Sequence, residues 1–157
     1  IYMRFLFVKK QGLSTKEFRY ITKNINEAKK KMDRLQKALF SIKHIPSLKQ
    51  RIDLLRVTRK IFSLTKSEPK RFYRAEQFYF SHLDSAVELT EKYVFLSSQP
   101  KKSLEVQRAL SDTRKTLNEL LVLIEQDLYQ MLSNDIDQLH FELDVAKHSM
   151  KNSIKRK

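Results

Sequence analysis

The stretch LSTKEFRYITKNINEAKKKMDRLQKALFSI, residues 13–42, decides the fold. Ser14 and Glu17 stand at capping-box spacing, and Leu13 and Phe18 are placed to close a hydrophobic staple over the same cap. Apolar side chains then fall at Phe18, Ile21, Ile25, Ala28, Met32, Leu35, Leu39 and Ile42, in steps that alternate three and four. That alternation predicts one unbroken amphipathic helix with a heptad seam, roughly 37 Å long at 1.5 Å per residue. Lys23, Lys30, Lys31, Arg34 and Lys37 lie on the opposite face, so the helix has an apolar front and a basic back.

Beyond this helix, Pro46 and Ser47 reopen the chain, and Leu48, Ile52, Leu55 and Phe62 mark a second one. Leu54, Val57, Ile61 and Leu64 widen its apolar face, while Lys49, Arg51, Arg56, Arg59 and Lys60 form its polar side. Ser67-Glu68-Pro69 predicts a new helix start, with Ser67 as N-cap and Pro69 in the first turn. The aromatic residues that follow, Phe72, Tyr73, Phe78, Tyr79 and Phe80, have helical spacing and read as a core stripe with tyrosine hydroxyls at its edge. Asp84 or Ser85, with Glu88, begins a further helical stretch through Tyr93. Residues 97–102 form a loop, and Ser103 caps a long periodic segment through Val106, Leu110, Leu117, Leu120, Ile124 and Leu128. Leu132, Ile136, Leu139, Leu143, Ala146 and Met150 carry the stripe onward, either in one helix or in two broken at Ser133-Asn134-Asp135.

The expected architecture is all-α: an elongated antiparallel bundle of four to six helices, at least two of them long and coiled-coil-like. A single glycine and three prolines in 157 residues leave too few turn formers for a β or α/β fold. With no cysteine there is no disulfide framework, thiolate metal site or cysteine nucleophile. Residues 13–157 read as one helical domain with a basic tail, Lys151–Lys157, that frays. Residues 1–12 open with an apolar run, Ile1 to Val8, interrupted by Arg4 and followed by Lys9 and Lys10. The run is either the end of a membrane span with flanking cations or a short element packed on the domain.

Charge is distributed unevenly. Residues 1–80 hold 21 Lys and Arg against 6 Asp and Glu, whereas residues 81–157 hold 11 against 12. A basic half joined to a near-neutral half implies an anionic partner for the first. One glycine cannot build a phosphate-cradling loop, and neither a Gly-x-Ser-x-Gly elbow nor a His-Glu-x-x-His pair is present. Lys70, Arg71 and Arg74 are the best anion-binding candidates, because the sequence puts them in the first turns of a helix, with Arg56, Arg59 and Lys60 facing them from the preceding one. The competing reading is a solvated surface in which Arg74 pairs with Glu68 or Glu76. Asp137, His140, Asp144 and His148 align on one helical strip. His140, Asp144 and His148 are therefore weak candidates for a divalent metal, since eight residues part the two histidines by roughly 12 Å. No other cofactor is expected. His82 beside Asp84 reads as a helix junction, and His44 as a solvent-facing residue before a turn.

Three stretches taken together, Glu68-Pro69-Lys70-Arg71, Phe80 to Tyr93 and Phe141 to Ser149, resemble the bacterial XpaC-like family, whose members are named 5-bromo-4-chloroindolyl phosphate hydrolysis proteins. The resemblance spans about residues 14–150. It implies an N-terminal membrane segment, of which residues 1–12 would be the remnant, followed by a helical domain on the cytoplasmic face of the membrane. The family name implies hydrolysis of an aryl phosphate, but no catalytic motif carries over residue by residue. The expected function is a scaffold or interaction module whose basic side meets anionic lipid or an acidic protein. A helical seam is also available for homo-oligomerisation. The alternative is a phosphomonoester hydrolase that holds phosphate on Lys70, Arg71 and Arg74. Non-specific nucleic-acid binding ranks third, since no recognised binding motif accompanies the charge.

Overall fold

The computed structural model describes residues 12–42 and 48–156. The apolar run at the N-terminus, the turn at Pro46-Ser47, His44 and Lys157 lie outside the described residues.

The first helix, α1 (Thr15–Ser41), begins at the expected cap. The Glu17 N–H donates to Ser14 Oγ at 3.0 Å, and the Ser14 N–H donates to Glu17 Oε1 at 3.4 Å. Each bond satisfies a backbone donor that a helix start leaves free. Gly12, at φ +69°, turns the chain in the left-handed region just before this cap. Leu13 is buried, and Phe18 packs against the core beside it. At the other end, Arg51 Nη1 donates to the carbonyls of Leu39 and Ile42, so a cation from the next helix closes the α1 C-terminus.

Three more α-helices follow: α2 (Leu48–Ser67), α3 (Leu83–Ser97) and α4 (Leu104–Lys155). Ser103 Oγ caps α4 by accepting from the Val106 N–H at 3.2 Å. The two-helix alternative for the C-terminal segment is excluded, because α4 is one helix of 52 residues, roughly 78 Å long. It remains helical through Lys155, although the basic tail was expected to fray.

Consecutive helices run up, down, up and down, as cross-contacts show. Arg59 on α2 donates to Gln36 on α1, and Tyr93 on α3 meets Arg114 on α4, both between antiparallel neighbours. Lys31 pairs with Asp84, and Arg34 with Glu88 and Glu91 further on, so α1 and α3 lie side by side in the same direction. Likewise Gln50 reaches Arg114 while Arg71 reaches Asp135, so α2 lies parallel to α4. The core between them is apolar, with Ile21, Leu35, Leu54, Ile61, Leu83 and Ile124 essentially inaccessible. Thr58 and Thr65, also fully buried, return their hydroxyls to the carbonyls of Leu54 and Ile61 one turn earlier.

The link between α2 and α3 departs from expectation. Ser67 ends α2 instead of capping a new helix, and Pro69–Arg74 is a six-residue 3-10 helix preceded by Glu68. A π-helical turn, Phe78–His82, then leads into α3, with the Leu83 N–H donating to Phe78 O. Phe72, Phe78 and Tyr79 are core residues, but Tyr73 and Phe80, expected in the same stripe, are largely exposed. The changes of helical pitch turn Tyr73 and Phe80 outward.

Candidate functional site

The α2–α3 link and the middle of α4 enclose an open cleft of about 500 Å³, lined by Lys70, Arg71, Tyr73, Arg74, Asn134 and Asp135 among others. Arg71 organises it. Its guanidinium donates through Nη1 to Asp135 Oδ2 at 2.7 Å and through Nη2 to Asp135 Oδ1 at 3.0 Å. It also reaches the Met131 carbonyl at 2.7 Å and Glu68 Oε2 at 3.1 Å. The fork holds the Asp135 carboxyl below its ordinary value of 3.8 through these hydrogen bonds. Arg74 does not pair with Glu68 or Glu76; it extends to Ser133 Oγ and Asn134 Oδ1 at 3.4 and 3.5 Å. Lys70 lines the cleft without an ion pair among the described residues. A six-residue 3-10 turn lends an anion little of the dipole support expected from a full helix.

The remaining predicted positions are dispersed. Arg56, Arg59 and Lys60 sit exposed on α2 outside this cleft, and Arg59 Nη2 donates to Gln36 Oε1 at 2.7 Å. His140, Asp144 and His148 are exposed near the end of α4, where His148 Nε2 lies 3.2 Å from Asn152 Nδ2. Among the described residues, no three His, Cys, Asp or Glu side chains gather closely enough to hold a metal ion.

One polar pair went unread in the sequence. His82 does stand at a helix junction, between the π turn and α3, but its Nδ1 also lies 2.5 Å from Asp127 Oδ2, in a nearly closed position against α4. Burial raises the Asp127 carboxyl above its ordinary value, against the hydrogen bond from His82. The available signal was periodicity: Asp127 falls three residues after Ile124 and four before Met131, both buried. An acid at such a position needs a buried partner. The π turn supplies it by directing His82 inward.

A row of cations lines the back of α1. Lys16, Arg19, Lys23, Lys30 and Lys37 are exposed, and none makes an ion pair among the described residues. Arg19, Lys23 and Lys30 border a shallow groove together with Glu27. Elsewhere the basic half is partly neutralised, since Lys31, Arg34 and Arg71 all pair with acids of the second half or nearby. Arg34 correspondingly holds the Glu91 carboxyl below its ordinary value.

The Arg71 fork has a pH signature. A lowered folded-state pKa means that the Asp135 contribution is present above 3.8 and lost as pH falls through the lower folded value. Asp127 has the opposite sign, because its raised value makes ionisation weigh against the fold, and acid relieves this. Arg71→Met removes the first effect and leaves the second in place. Denaturant unfolding of both chains is therefore expected to show a stability gap at neutral pH that narrows on acidification, leaving the part due to the Met131 carbonyl. A gap constant with pH would mean that Arg71 acts through packing alone.

Comparison with known proteins gives two findings. A family model described as "5-bromo-4-chloroindolyl phosphate hydrolysis protein" matches residues 2–146. The protein XpaC of Bacillus subtilis (strain 168) is 57% identical over 148 residues, which cover 94% of this chain and 72% of that protein. No solved structure matches the chain.

Proposed function

For a chain that belongs to the 5-bromo-4-chloroindolyl phosphate hydrolysis protein family, we propose the role of a membrane-associated interaction module whose basic side rests on an anionic lipid surface. The row Lys16, Arg19, Lys23, Lys30 and Lys37 carries this reading. Its members share one face of α1, opposite the buried seam, so all five can approach a plane together. Side chains that pair with internal acids would be unavailable for that contact, and these five have no such partner among the described residues. Among the described residues, no helix is long and apolar enough to cross a membrane. Contact through a face of five cations is electrostatic and screened by salt over a Debye length of about 8 Å at physiological ionic strength.

Flotation with vesicles containing phosphatidylserine tests the reading. Binding is expected at low salt, with release as salt rises and none to purely zwitterionic vesicles. Absence of binding to the anionic vesicles at low salt overturns it, and would direct attention to an acidic protein partner.

A second reading rests on the family's description together with the cleft beside Arg71. Lys70 and Arg74 converge there next to Tyr73, where a phosphate monoester would be held. Turnover of an indolyl phosphate by the purified chain across a panel of divalent metals, lost in Lys70→Ala and Arg74→Ala, would carry that reading. No turnover under any of those conditions would remove it.

A further inference from the structure

The end of α4 is a helix without a body. From Asp137 to Arg156 every residue is exposed, whereas Met131, two turns earlier, is buried. The apolar stripe nevertheless continues along it: Leu132, Ile136, Leu139, Leu143, Ala146 and Met150 keep the alternating four and three steps of a heptad seam. Leu139, Leu143 and Met150 are 58%, 43% and 60% exposed. A lone helix of about twenty residues is marginal in water, and a seam of this kind ordinarily owes its helicity to a second helix. At its root the arm is held firmly, because Arg71 grips both the Met131 carbonyl and the Asp135 carboxylate.

Charge identifies the occupant. The first half of the arm carries Asp137, Glu142 and Asp144, and the second half carries Lys147, Lys151, Lys155 and Arg156. Such a helix complements itself when inverted. Two arms side by side in the same direction set acid against acid and base against base, whereas two arms in opposite directions set each acidic half against a basic half. We infer that the chain dimerises through an antiparallel pairing of these arms with a second copy of itself. In the symmetric register, Leu143 of one copy meets Ala146 of the other, and Leu139 meets Met150. The two-fold axis passes between them, as an isologous contact requires.

The full chain tests this. Sedimentation at rising concentration is expected to show a species of twice the 18.8 kDa chain mass, weakening as salt rises. Leu143→Glu places a charge in the seam and is expected to weaken the dimer by about a hundredfold or more. The near-ultraviolet signal of the buried Tyr79 and Tyr93 should survive, because the arm contributes nothing to their surroundings. Should that variant fail to fold, Lys147→Glu with Lys151→Glu alters only exposed side chains and is expected to weaken the dimer most at low salt. Orientation is read by cross-linking, since the chain has no cysteine of its own. A mixture of Leu139→Cys and Met150→Cys chains should yield disulfides between unlike chains. A chain that stays monomeric at every concentration, a dimer indifferent to Leu143→Glu, or a preference of Leu139→Cys for its own kind would each overturn the proposal.

Discussion

Replacing Phe72 with alanine is expected to destabilise the fold by about 3–5 kcal/mol, within reach of a small domain's whole stability. Phe72 is fully buried in the short 3-10 helix, where three chain segments meet. Its ring makes edge contacts with Tyr20 at 5.9 Å, Tyr73 at 5.9 Å and Phe80 at 5.8 Å, and a tilted contact with Tyr79 at 5.0 Å. Truncation would leave a cavity whose walls belong to α1, the α2–α3 link and the π turn. The six-residue 3-10 helix is pinned to α4 by the Arg71 hydrogen bonds and has little means of collapsing into it. Tyr79 is tied to the same region: its hydroxyl donates to Thr65 Oγ1 at 2.7 Å, and burial pushes its pKa up to about 12. Denaturant unfolding should show a lower midpoint with an unchanged slope. Phe72→Leu, which keeps much of the volume, is expected to cost clearly less. A loss below about 1 kcal/mol for alanine would mean that the link is not the packing centre assigned here.

Neutralising the α1 row has the second large expected effect. Each Lys or Arg near an anionic membrane surface contributes roughly 1 kcal/mol, so replacing Lys16, Arg19, Lys23, Lys30 and Lys37 by glutamine should remove about 5 kcal/mol of binding. That corresponds to a loss of about three to four orders of magnitude in vesicle affinity. The five side chains are exposed and lie away from the buried seam, so the thermal unfolding midpoint should change little. Lys49, Arg56, Lys60 and Lys66 on α2 provide the control. If neutralising them weakens binding as much as neutralising the α1 row, the attraction is diffuse and no particular face is presented. If the α1 row alone matters, the orientation of the domain on the surface follows, with α1 lowermost and α4, its diagonal neighbour, uppermost.

Much of the fold was legible from local chemistry. The Ser14–Glu17 box and the Ser103 cap depend on residues within one turn, and each forms as the sequence predicts, while Leu13 and Phe18 both face the core. The seam of α1 is buried at Ile21, Ile25, Ala28, Leu35 and Leu39 because a heptad pattern reports which face avoids water. Periodicity does not report what covers that face. The stripe of α4 reads alike before and after Met131, yet one part lies in the core and the other stands in solvent. The candidate site was legible only in part for the same reason. Lys70, Arg71 and Arg74 were visible as a charge run, but of the two acids that engage Arg71 only Glu68 is a sequence neighbour, and Asp135 is 64 residues away.

By itself, then, the sequence determined that this protein is helical, where its first and last helices begin, which faces are apolar and which half carries the excess of positive charge. These properties follow from hydrogen bonds and side-chain spacings a few residues long. Only the tertiary structure decided that α1 lies parallel to α3, that His82 turns inward to Asp127, that Arg71 is occupied by Asp135 and that the last five turns of α4 stand free. Each of these depends on which surfaces meet across the bundle, and a repeat of three and four residues allows several such arrangements.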